Sequence, residues 1–397
     1  MNQMEYKRLG DYIREVNLRN RELKVTEPMG INIDKRFMPS VANVIGTDLS
    51  TYKMVCKNQF ACNLMHVGRD EKIPIAMHTD DNPIIVSPAY FVFEIIPVET
   101  HGRASLHNDN ELLPEYLMMW FRRAEFDRNA WFYTDADVRG GLDKKALMDM
   151  RLPIPTLARQ REIVSEYETL TRRIRLNEQM IAKLEETAQA LYRKMFVDGI
   201  DKENLPEGWR RGRLGDYAKV RSGYAFPSEW WQREGIPVIK ISDICNNTIN
   251  PKMCDCVSLD KYEYAKNYTA DKGDIVIAMT GATLGKIAVV PQKGFLVNQR
   301  VGLFNLSLMP MKKAPYLYWL LKQEEIQKEL VTVGGDSAQA NISNLNIENI
   351  ELAIAPKSQI DDFNREGAVL LESITLKNKE NLKLTELKSL LLARMGR

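Results

Sequence analysis

A heptad pattern between residues 156 and 197 constrains this chain more than any other feature. Its apolar side chains occupy two rows that alternate by four and three residues, which is the seam of a coiled coil. The first row contains Ile163, Leu170, Leu184 and Leu191, with Asn177 as its polar member, and the second contains Tyr167, Ile174, Ile181, Ala188 and Met195. A helix of about forty residues is roughly 60 Å long. We therefore expect a strut between domains and not a helix within one small core.

The same pattern occurs a second time, further along the chain. Residues 152–195 align without a gap with residues 352–395, and eleven of these 44 positions are identical. Average residue usage would give about three identities. The match continues upstream, where Arg8-Leu-Gly-Asp11 is repeated, with a small shift, as Arg213-Leu-Gly-Asp216. We interpret the chain as an internal duplication in which each half is a globular module followed by a long helix.

Composition restricts the class of protein without identifying it. A length of 397 residues with 44% apolar side chains predicts two or three ordinary domains. The net charge of +2 neither indicates nor excludes a nucleic-acid partner. Five irregularly spaced cysteines and the lack of an 18-residue apolar window predict a cytoplasmic protein without a membrane span. Cys254-Asp-Cys256 could be half of a zinc site, but all four histidines lie in the other half of the chain, so we expect no metal.

Both modules are predicted to mix strands with one amphipathic helix. In the first module the strand-like runs are 73–77, 84–86 and 90–93, and the helix is 114–128. In the second module the strand-like runs are 236–241 and 274–279, and the helix is 315–330. The polar connection from Asn63 to Asp70 contains a glycine and lies between strands, where binding residues are common.

No acidic residue occurs between Ile275 and Gln323, although the chain's average of 53 acids in 397 residues would place about 6.5 there. The same window holds the basic residues Lys286, Lys293, Arg300, Lys312, Lys313 and Lys322. A surface without carboxylates suits a polyanion, because phosphate repels carboxylate and attracts Lys or Arg. A buried sheet flanked by a few lysines would give the same pattern and stays an alternative.

No motif for enzyme chemistry is complete. Thr280-Gly-Ala-Thr-Leu-Gly-Lys286 follows a predicted strand, but only three residues separate its glycines, and Ile287 stands where a P-loop has its metal-binding hydroxyl. The glycines could still let the backbone approach a phosphate. We also find no dinucleotide-binding fingerprint, nucleophile elbow, HExxH or Asn-Pro-Pro-Tyr run. The sequence therefore predicts binding without catalysis.

Several motifs resemble those of the specificity (S) subunit of Type I restriction–modification systems. They are Leu205-Pro-Glu-Gly-Trp209, Leu214-Gly-Asp216, Ser222-Gly223, residues 235–243 and 272–286, Asn298-Gln299, and Pro315-Tyr-Leu-Tyr318. Residues 152–164 are similar to the family's entry into its helical conserved region. The resemblance covers nearly the whole chain. It is weaker over residues 1–150, where Ser87-Pro88 takes the place of Asn298-Gln299, and residues 352–359 lack the paired prolines of the first helix entry.

The resemblance implies an α+β fold with two globular target recognition domains in tandem, separated by two long helices packed as an antiparallel coiled coil. The implied boundaries are 1–150 for the first recognition domain, 151–200 for the central helical conserved region, 201–355 for the second recognition domain and 356–397 for the C-terminal helical conserved region. The implied function is a non-catalytic DNA sequence-specificity subunit, whose domains read the two halves of a bipartite, asymmetric target. The implied partners are double-stranded DNA, two modification (methyltransferase) subunits and a restriction subunit. S-adenosylmethionine would belong to the methyltransferase, and this chain would hold no cofactor.

On this basis we predict two sets of binding residues. Gln and Asn suit adenine, and Arg suits guanine, in the major groove. The candidates for DNA contact are Asn63, His66, Arg69, Lys72, Ser87, Tyr90, Arg139, Arg221, Tyr224, Lys240, Thr280, Lys286, Asn298, Gln299, Arg300 and Gln339. The candidates for binding the partner subunits are Ile174, Ile181, Leu184, Leu191, Ile374, Leu384 and Leu391.

Two other functions stay open from the sequence. The chain could be a free-standing DNA-binding scaffold without an enzyme partner, which copurification of a methyltransferase would exclude. It could also be a purely structural coiled-coil adaptor, which salt-dependent DNA binding would exclude. The DNA sequence that it would read cannot be derived, because contacts between side chains and base edges depend on loop geometry.

Overall fold

The computed structural model of the chain describes residues 6–41, 46–65, 67–97, 112–134, 140–245, 247–306, 310–335 and 340–395. The chain forms two compact units. Unit 1 contains Met1–Arg173 and Leu384–Arg397, and unit 2 contains Ile174–Lys383. The divisions at 173/174 and 383/384 fall inside the two long helices, so each unit combines one strand module with segments of both helices.

In unit 1, ten strands and four short helices of the described residues precede the first long helix. The strands are β1 (Tyr6–Arg8), β2 (Ile13–Glu15), β3 (Pro28–Ile31), β4 (Phe37–Pro39), β5 (Lys53–Val55), β6 (Phe60–Cys62), β7 (Ile75–Met77), β8 (Ile84–Val86), β9 (Phe91–Ile95) and β10 (Arg151–Pro153). The helices are α1 (Val67–Asp70), α2 (Pro114–Phe121), α3 (Ala124–Phe132) and α4 (Lys144–Asp149), and the long helix is α5 (Leu157–Phe196).

Two four-stranded sheets and the antiparallel pair of β1 with β10 make up the strand module of unit 1. One of the sheets has the order β2-β9-β6-β7 and is antiparallel, and the other has the order β4-β3-β8-β5 with β3 and β8 parallel. Alternate residues of β6 point to opposite faces of its sheet. Phe60 and Cys62 belong to the core that contains the helices, whereas Ala61 packs with Val55 and Val86 of the second sheet. The module is therefore layered as helices, sheet and sheet.

Unit 2 begins in α5 and repeats these elements. Its strands are β11 (Arg210–Arg213), β12 (Lys219–Ser222), β13 (Ile236–Ile239), β14 (Cys256–Val257), β15 (Thr269–Ala270), β16 (Ile275–Ala278), β17 (Ile287–Val289), β18 (Phe295–Val297), β19 (Val301–Asn305) and β20 (Glu351–Ile354). Its helices are α6 (Leu214–Tyr217), α7 (Tyr262–Ala265), α8 (Ala314–Leu321), α9 (Glu324–Gly334) and α10 (Asn344–Glu348), and the second long helix is α11 (Lys357–Arg394).

The sheets of unit 2 have the same topology as those of unit 1. Their strand orders are β12-β19-β16-β17 and β14-β13-β18-β15, and the parallel pair is again the central one, β13 with β18. The run Ile275-Val-Ile-Ala278 is continuously apolar because both of its faces are covered. Ile275 and Ile277 pack with the helices, and Val276 and Ala278 pack on the second sheet. The shared topology confirms the internal duplication predicted from the sequence.

The two long helices run antiparallel where they meet within each unit. In unit 2, Gln359 Nε2 donates to the Met195 carbonyl at 2.7 Å, and Asn177 Nδ2 donates to Asn381 Oδ1 at 2.9 Å. In unit 1, the Lys388 ammonium lies 4.8 Å from the centre of the Tyr167 ring. In unit 2, early residues of one helix therefore contact late residues of the other. The predicted antiparallel helical pair is confirmed.

The start and end of α5 agree with the sequence prediction to within one residue. Thr156 Oγ1 accepts a hydrogen bond from the Arg159 N–H at 3.4 Å, as an N-cap side chain does. At the other end, the Asp198 N–H donates to the Arg193 carbonyl at 2.8 Å, and Gly199 follows with a φ of +76°. Glycine tolerates this left-handed conformation and so terminates the helix.

Each of the helices predicted over 114–128 and 315–330 is interrupted, so the prediction of one helix in each module is wrong. α2 and α3 form one pair, and α8 and α9 form the other. In unit 2, Gln323 Nε2 donates to the Trp319 carbonyl at 2.8 Å, and Gln327 Nε2 donates to the Leu321 carbonyl at 2.6 Å. These amides bind carbonyls that a helix end leaves unpaired, which allows the chain to turn there.

Most of the residues predicted to bind partner subunits pack inside this chain. Ile374 is 2% exposed in the core of unit 2, and the half-buried Ile181, Leu184 and Leu191 pack against that core. Leu391 packs against the core of unit 1. The other helix of the same chain thus fills the heptad seam, and a role of these five residues in subunit binding stays a prediction. Ile174 and Leu384 are half-buried, and their role stays a prediction.

Candidate nucleic-acid interface

Four segments of unit 2 converge at the ends of the strands β12, β16 and β18, and backbone hydrogen bonds fix them together. The Gly223 N–H donates to the Val301 carbonyl at 3.1 Å, and the Gln299 N–H donates to the Tyr224 carbonyl at 2.9 Å. The Met279 N–H donates to the Arg300 carbonyl at 3.1 Å. The Ile342 N–H donates to the Met279 carbonyl at 2.9 Å. These bonds join four segments into one rigid edge: 222–224, 279–281, 298–301 and 340–342.

This edge contains five of the residues predicted from the sequence to contact DNA: Tyr224, Thr280, Asn298, Gln299 and Arg300. Asn298 organises the turn between β18 and β19. Its backbone N–H donates to the Ile239 carbonyl at 3.0 Å, and its Oδ1 accepts from the Arg300 N–H at 3.4 Å. Thr280 Oγ1 donates to the Ala340 carbonyl at 3.0 Å. The side chains of Gln299 and Arg300 are exposed on this fixed backbone.

A groove of about 530 Å³ lies along this edge. It is lined by Ser222, Met279, Gln299, Arg300, Asn341, Ile342, Ser343, Asn344 and Leu345. None of these lining residues carries a carboxylate, so nothing in the lining repels a phosphate or competes for Arg300. Ser222 Oγ donates to Asn344 Oδ1 at 3.0 Å, which holds that carboxamide in place. We call this surface the polar groove.

Tyr224 joins the polar groove to a cluster of aromatic side chains. Its ring stacks on Trp230, with centroids 6.0 Å apart and planes 12° apart, and meets Phe226 edge-on at 5.1 Å. Tyr268 lies 5.6 Å from the same ring. These contacts hold Tyr224 half-buried, so its position is set by packing and not by a ligand.

Lys286 lies outside the polar groove and lines a separate cavity of about 220 Å³ with Asn247, Lys322, Gln327 and three others. Gly281 and Gly285 have φ of +70° and +81°, values that favour glycine. They let the chain turn so that Lys286 is exposed, and among the described residues Lys286 has no ion-pair partner. The loop can therefore offer its ammonium to an anion, as the sequence suggests.

Of three other predicted cations, two are held by bonds within unit 2 and the third is exposed in unit 1. The Arg221 guanidinium donates to the Asn267 carbonyl at 2.7 Å and to the Thr269 carbonyl at 3.2 Å. Lys240 pairs with Asp255 and lies 5.2 Å from the centre of the Trp231 ring. Lys72 of unit 1 is exposed. The bonds of Arg221 and Lys240 within unit 2 account for their positions without DNA.

The corresponding edge of unit 1 brings together Asn63, Tyr90 and the connection after β8. Burial raises the pKa of Tyr90, and hydrogen bonds to the Ile31 backbone and the Asn63 side chain act in the opposite direction. Ser87 follows β8 as Asn298 follows β18, and the Leu142 N–H donates to the Leu64 carbonyl at 2.9 Å. This last bond is the counterpart of the one between Ile342 and Met279. The two units therefore present matching edges with different side chains.

Some predicted contacts lie outside the described residues. They are His66, Arg139 and Gln339, and the side chain of Arg69. Gln339 directly precedes Ala340, which belongs to the segment 340–342 of the edge of unit 2.

The acid-free window combines both interpretations that the sequence left open. Its strands β16 to β19 are core, since nearly every residue of them is buried. Its connections carry the exposed Lys286, Gln299 and Arg300. The window without acidic residues therefore contains both buried strands of the two sheets and the exposed loops that connect them.

Sequence reasoning missed the contribution of residues 341–345 to the polar groove. Asn341, Ser343 and Asn344 add polar groups, and Leu345 is 68% exposed beside them. The signal was present, because Gln339-Ala-Asn-Ile342 aligns with Arg139-Gly-Gly-Leu142 in the duplication. The pairing of Thr280 with Asn341 and the hydrogen bond from Ile342 to Met279 show that the segment reaches the same edge.

Two further features bear on the class of protein. Among the described residues, no three His, Cys, Asp or Glu side chains are grouped in a way that could hold a metal ion. In that same part of the chain, no helix combines the length and the apolar character that crossing a membrane requires.

Comparisons with known proteins agree with this geometry. The model of the family described as "Type I restriction modification DNA specificity domain" matches residues 206–387. The Type I restriction enzyme HindI specificity subunit of Haemophilus influenzae is 28% identical, and the match covers 67% of this chain and 58% of that protein. The MjaVIII specificity subunit of Methanocaldococcus jannaschii is 24% identical over 48% of each chain. This chain thus spans about half the length of these curated relatives.

A solved structure shares the fold. The crystal structure of a Type I restriction–modification S subunit from M. genitalium is 14% identical, with a TM-score of 0.58. The alignment covers 100% of this chain and 97% of that one. The mixed fold predicted from the sequence is therefore confirmed.

Proposed function

We propose that the chain belongs to the family defined by the Type I restriction–modification DNA specificity domain, and that it selects the DNA sequence on which such a complex acts. Each strand module reads one half of a bipartite target in double-stranded DNA. The chain itself performs no methyl transfer and no cleavage. These reactions belong to the partner subunits.

The polar groove of unit 2 is the observation that supports this function most. It collects an exposed Arg, a Gln and two Asn side chains on a backbone that is fixed by hydrogen bonds. These are the side chains that hydrogen-bond guanine and adenine edges in the major groove. The lining has no carboxylate, so phosphates can approach.

The target is asymmetric on this proposal. The edges of units 1 and 2 are built on equivalent strands, but unit 1 has Ser87-Pro88 where unit 2 has Asn298-Gln299. Proline has no N–H to donate, and serine offers a single hydroxyl in place of a carboxamide. The two modules therefore recognise different half-sites.

Two modification subunits, which would bring S-adenosylmethionine, and a restriction subunit are the proposed partners. The long helices leave a set of apolar side chains exposed although their seam is filled: Leu176, Met180, Val369, Leu376, Leu387 and Leu390. Apolar side chains that join into one exposed patch often mark a protein interface, and Leu176 with Met180 and Leu387 with Leu390 lie one helical turn apart. These exposed side chains are further candidates for subunit binding.

Two measurements test the proposed function. The logarithm of the affinity of the full chain for duplex DNA should fall linearly with the logarithm of the salt concentration, because binding releases the counterions that were condensed on the phosphates. Cells that produce the chain with its methyltransferase should show a modified, bipartite and non-palindromic motif when their modified bases are sequenced, and cells without this chain should lack it. A motif that persists without the chain would refute the proposal.

A free-standing DNA-binding scaffold is the second candidate. The exposed leucines on both long helices favour the subunit over the scaffold, since a scaffold without partners has no use for them. Affinity purification of the chain from its host distinguishes the two. A methyltransferase recovered in stoichiometric amount supports the subunit. DNA recovered without a methyltransferase supports the scaffold.

A further inference from the structure

The side chains of the polar groove differ in how much hydrogen-bonding capacity they have left. Among the described residues, Arg300 makes no side-chain hydrogen bond or ion pair, and the Gln299 and Asn341 carboxamides make no hydrogen bonds. Asn344 is different, because its Oδ1 already accepts from Ser222 Oγ at 3.0 Å. Its Nδ2 therefore stays available to donate a hydrogen bond.

The backbone around these groups is rigid, which matters for base recognition. Arg300 is held on both sides, since its carbonyl accepts from Met279 at 3.1 Å and its N–H donates to Asn298 Oδ1 at 3.4 Å. Asn344 begins α10, whose N-cap Ser343 accepts from the Asn346 N–H at 3.1 Å. Side chains mounted on fixed elements keep the geometry that two simultaneous hydrogen bonds require.

We propose that Gln299, Arg300, Asn341 and Asn344 are the specificity-determining residues of unit 2. Arg300 donates two hydrogen bonds to a guanine edge, and the free carboxamides of Gln299 and Asn341 donate to and accept from adenine. Asn344 donates to a base acceptor. This inference rests on the proposed function and adds the residues and the bases to it.

Leu345 completes the proposed site. It is 68% exposed at the rim of the polar groove and follows Asn344 directly. An apolar side chain beside hydrogen-bonding groups suits the C5-methyl of thymine, which is the apolar feature of the major groove. Leu345 therefore contacts the thymine that pairs with a recognised adenine.

Selection from a randomised duplex pool tests this assignment, with the full chain produced together with its methyltransferase. In the wild type, the half-site read by unit 2 should contain a guanine and an adenine. Arg300→Ala should make the guanine position degenerate, with discrimination lowered about 10- to 100-fold, while the other half-site stays unchanged. Arg300→Lys keeps the charge but not the planar pair of donors, so it should restore affinity and at most part of the guanine preference.

Arg233→Ala is the matched control, because Arg233 is an exposed arginine of unit 2 that does not line the polar groove and is not among the predicted DNA contacts. It should leave the selected sequence unchanged, and thermal melts of all variants show whether they fold. If Arg300→Ala weakens binding equally for all sequences, or leaves the guanine preference unchanged, Arg300 does not read guanine, and the inference fails while the proposed function stands. A guanine preference that Arg300→Lys retains would support the base contact, because lysine also bonds the guanine edge. If the wild-type complex selects no sequence, the proposed function itself fails.

Discussion

Asn177 Nδ2 donates a hydrogen bond to Asn381 Oδ1 at 2.9 Å, so a pair of carboxamides lies in the otherwise apolar seam of the two long helices. Asn177 is 2% exposed. A buried polar pair stabilises less than leucines of similar volume would, but it favours the one register in which its partners meet. In this chain it fixes how far α5 and α11 slide past each other.

The pair predicts a non-additive response to substitution. Asn177→Leu or Asn381→Leu alone should lower the free energy of unfolding by about 1–3 kcal/mol, because each leaves one carboxamide unpaired. The double substitution should unfold at the wild-type denaturant concentration or higher, since no polar group is then stranded. Urea unfolding of the four proteins measures this cycle. Purely additive losses would show that the hydrogen bond does not couple the helices.

Asp274 predicts a pH-dependent contribution to stability. Burial raises its pKa from the ordinary 3.8 to about 6, and the attraction of Arg221 offsets only part of this. Between these two values the folded chain binds more protons at Asp274 than the unfolded chain does. The stabilisation from this group is therefore complete below about pH 4 and is lost as the pH rises through 6.

Asp274→Asn should remove that dependence. The amide oxygen can still accept from the Asp271 N–H, which bonds Asp274 Oδ2 at 2.8 Å, but the side chain no longer ionises. The variant should be more stable than the wild type by about 1–2 kcal/mol at pH 7.5 and equal to it near pH 4. Thermal melts at both pH values provide the comparison, with Asp34→Asn, at an exposed aspartate that does not act on Asp274, as the control. An equal difference at both pH values would contradict the assignment.

Glu185 predicts a second stabilising contact, between α5 and the strand module of unit 2. Its Oε1 accepts from Lys322 Nζ at 3.0 Å, from the Tyr318 hydroxyl at 3.0 Å and from Asn247 Nδ2 at 3.3 Å. Glu185→Ala leaves these donors without an acceptor and should lower unfolding stability by about 1–3 kcal/mol. Glu186→Ala, which removes the exposed pair with Lys183, should change nothing measurable. If chemical unfolding shows the same loss of stability for both variants, the proposed role of Glu185 is contradicted.

The sequence predicted those features that depend on periodicity. Heptad spacing located α5 to within one residue, and the repeat at an offset of 200 predicted two modules with one topology. Spacing does not reveal which partner covers a seam. For this reason Leu184 and Ile374 were assigned to a foreign subunit, although they pack within the chain.

Features set by side-chain hydrogen bonds or by pairing of distant strands were beyond the sequence. The break between α8 and α9 depends on Gln323 and Gln327, whose amides reach back to helix carbonyls. The groove residues Asn341 and Asn344 join Arg300 only because Ile342 pairs with Met279. By contrast, the local motif Asn298-Gln299-Arg300 was sufficient to identify one wall of the candidate site.

Lys286 predicts a contact without sequence preference. Its ammonium has no ion-pair partner among the described residues and stands in a glycine loop next to Lys322. Lys286→Ala should reduce the slope of log affinity against log salt by about one and should weaken binding to all duplexes alike. Lys293→Ala, at an exposed turn, is the control of equal charge. Fluorescence anisotropy across a salt series measures both. A changed base preference would contradict a phosphate contact.

Leu176 and Leu376 predict how the partner subunits attach. The duplication places them at equivalent positions of the two long helices, and they are 49% and 56% exposed. If each position contacts one methyltransferase subunit, Leu176→Glu or Leu376→Glu should weaken the binding of one of the two, because a carboxylate cannot be buried there without cost. The double variant should lose both subunits and still bind DNA. Leu259→Glu makes the same change at an exposed leucine outside the two long helices, and this variant should retain both methyltransferase subunits. Native mass spectrometry of the copurified complex counts the subunits, and two methyltransferases on the double variant would show that this helix face is not their binding site.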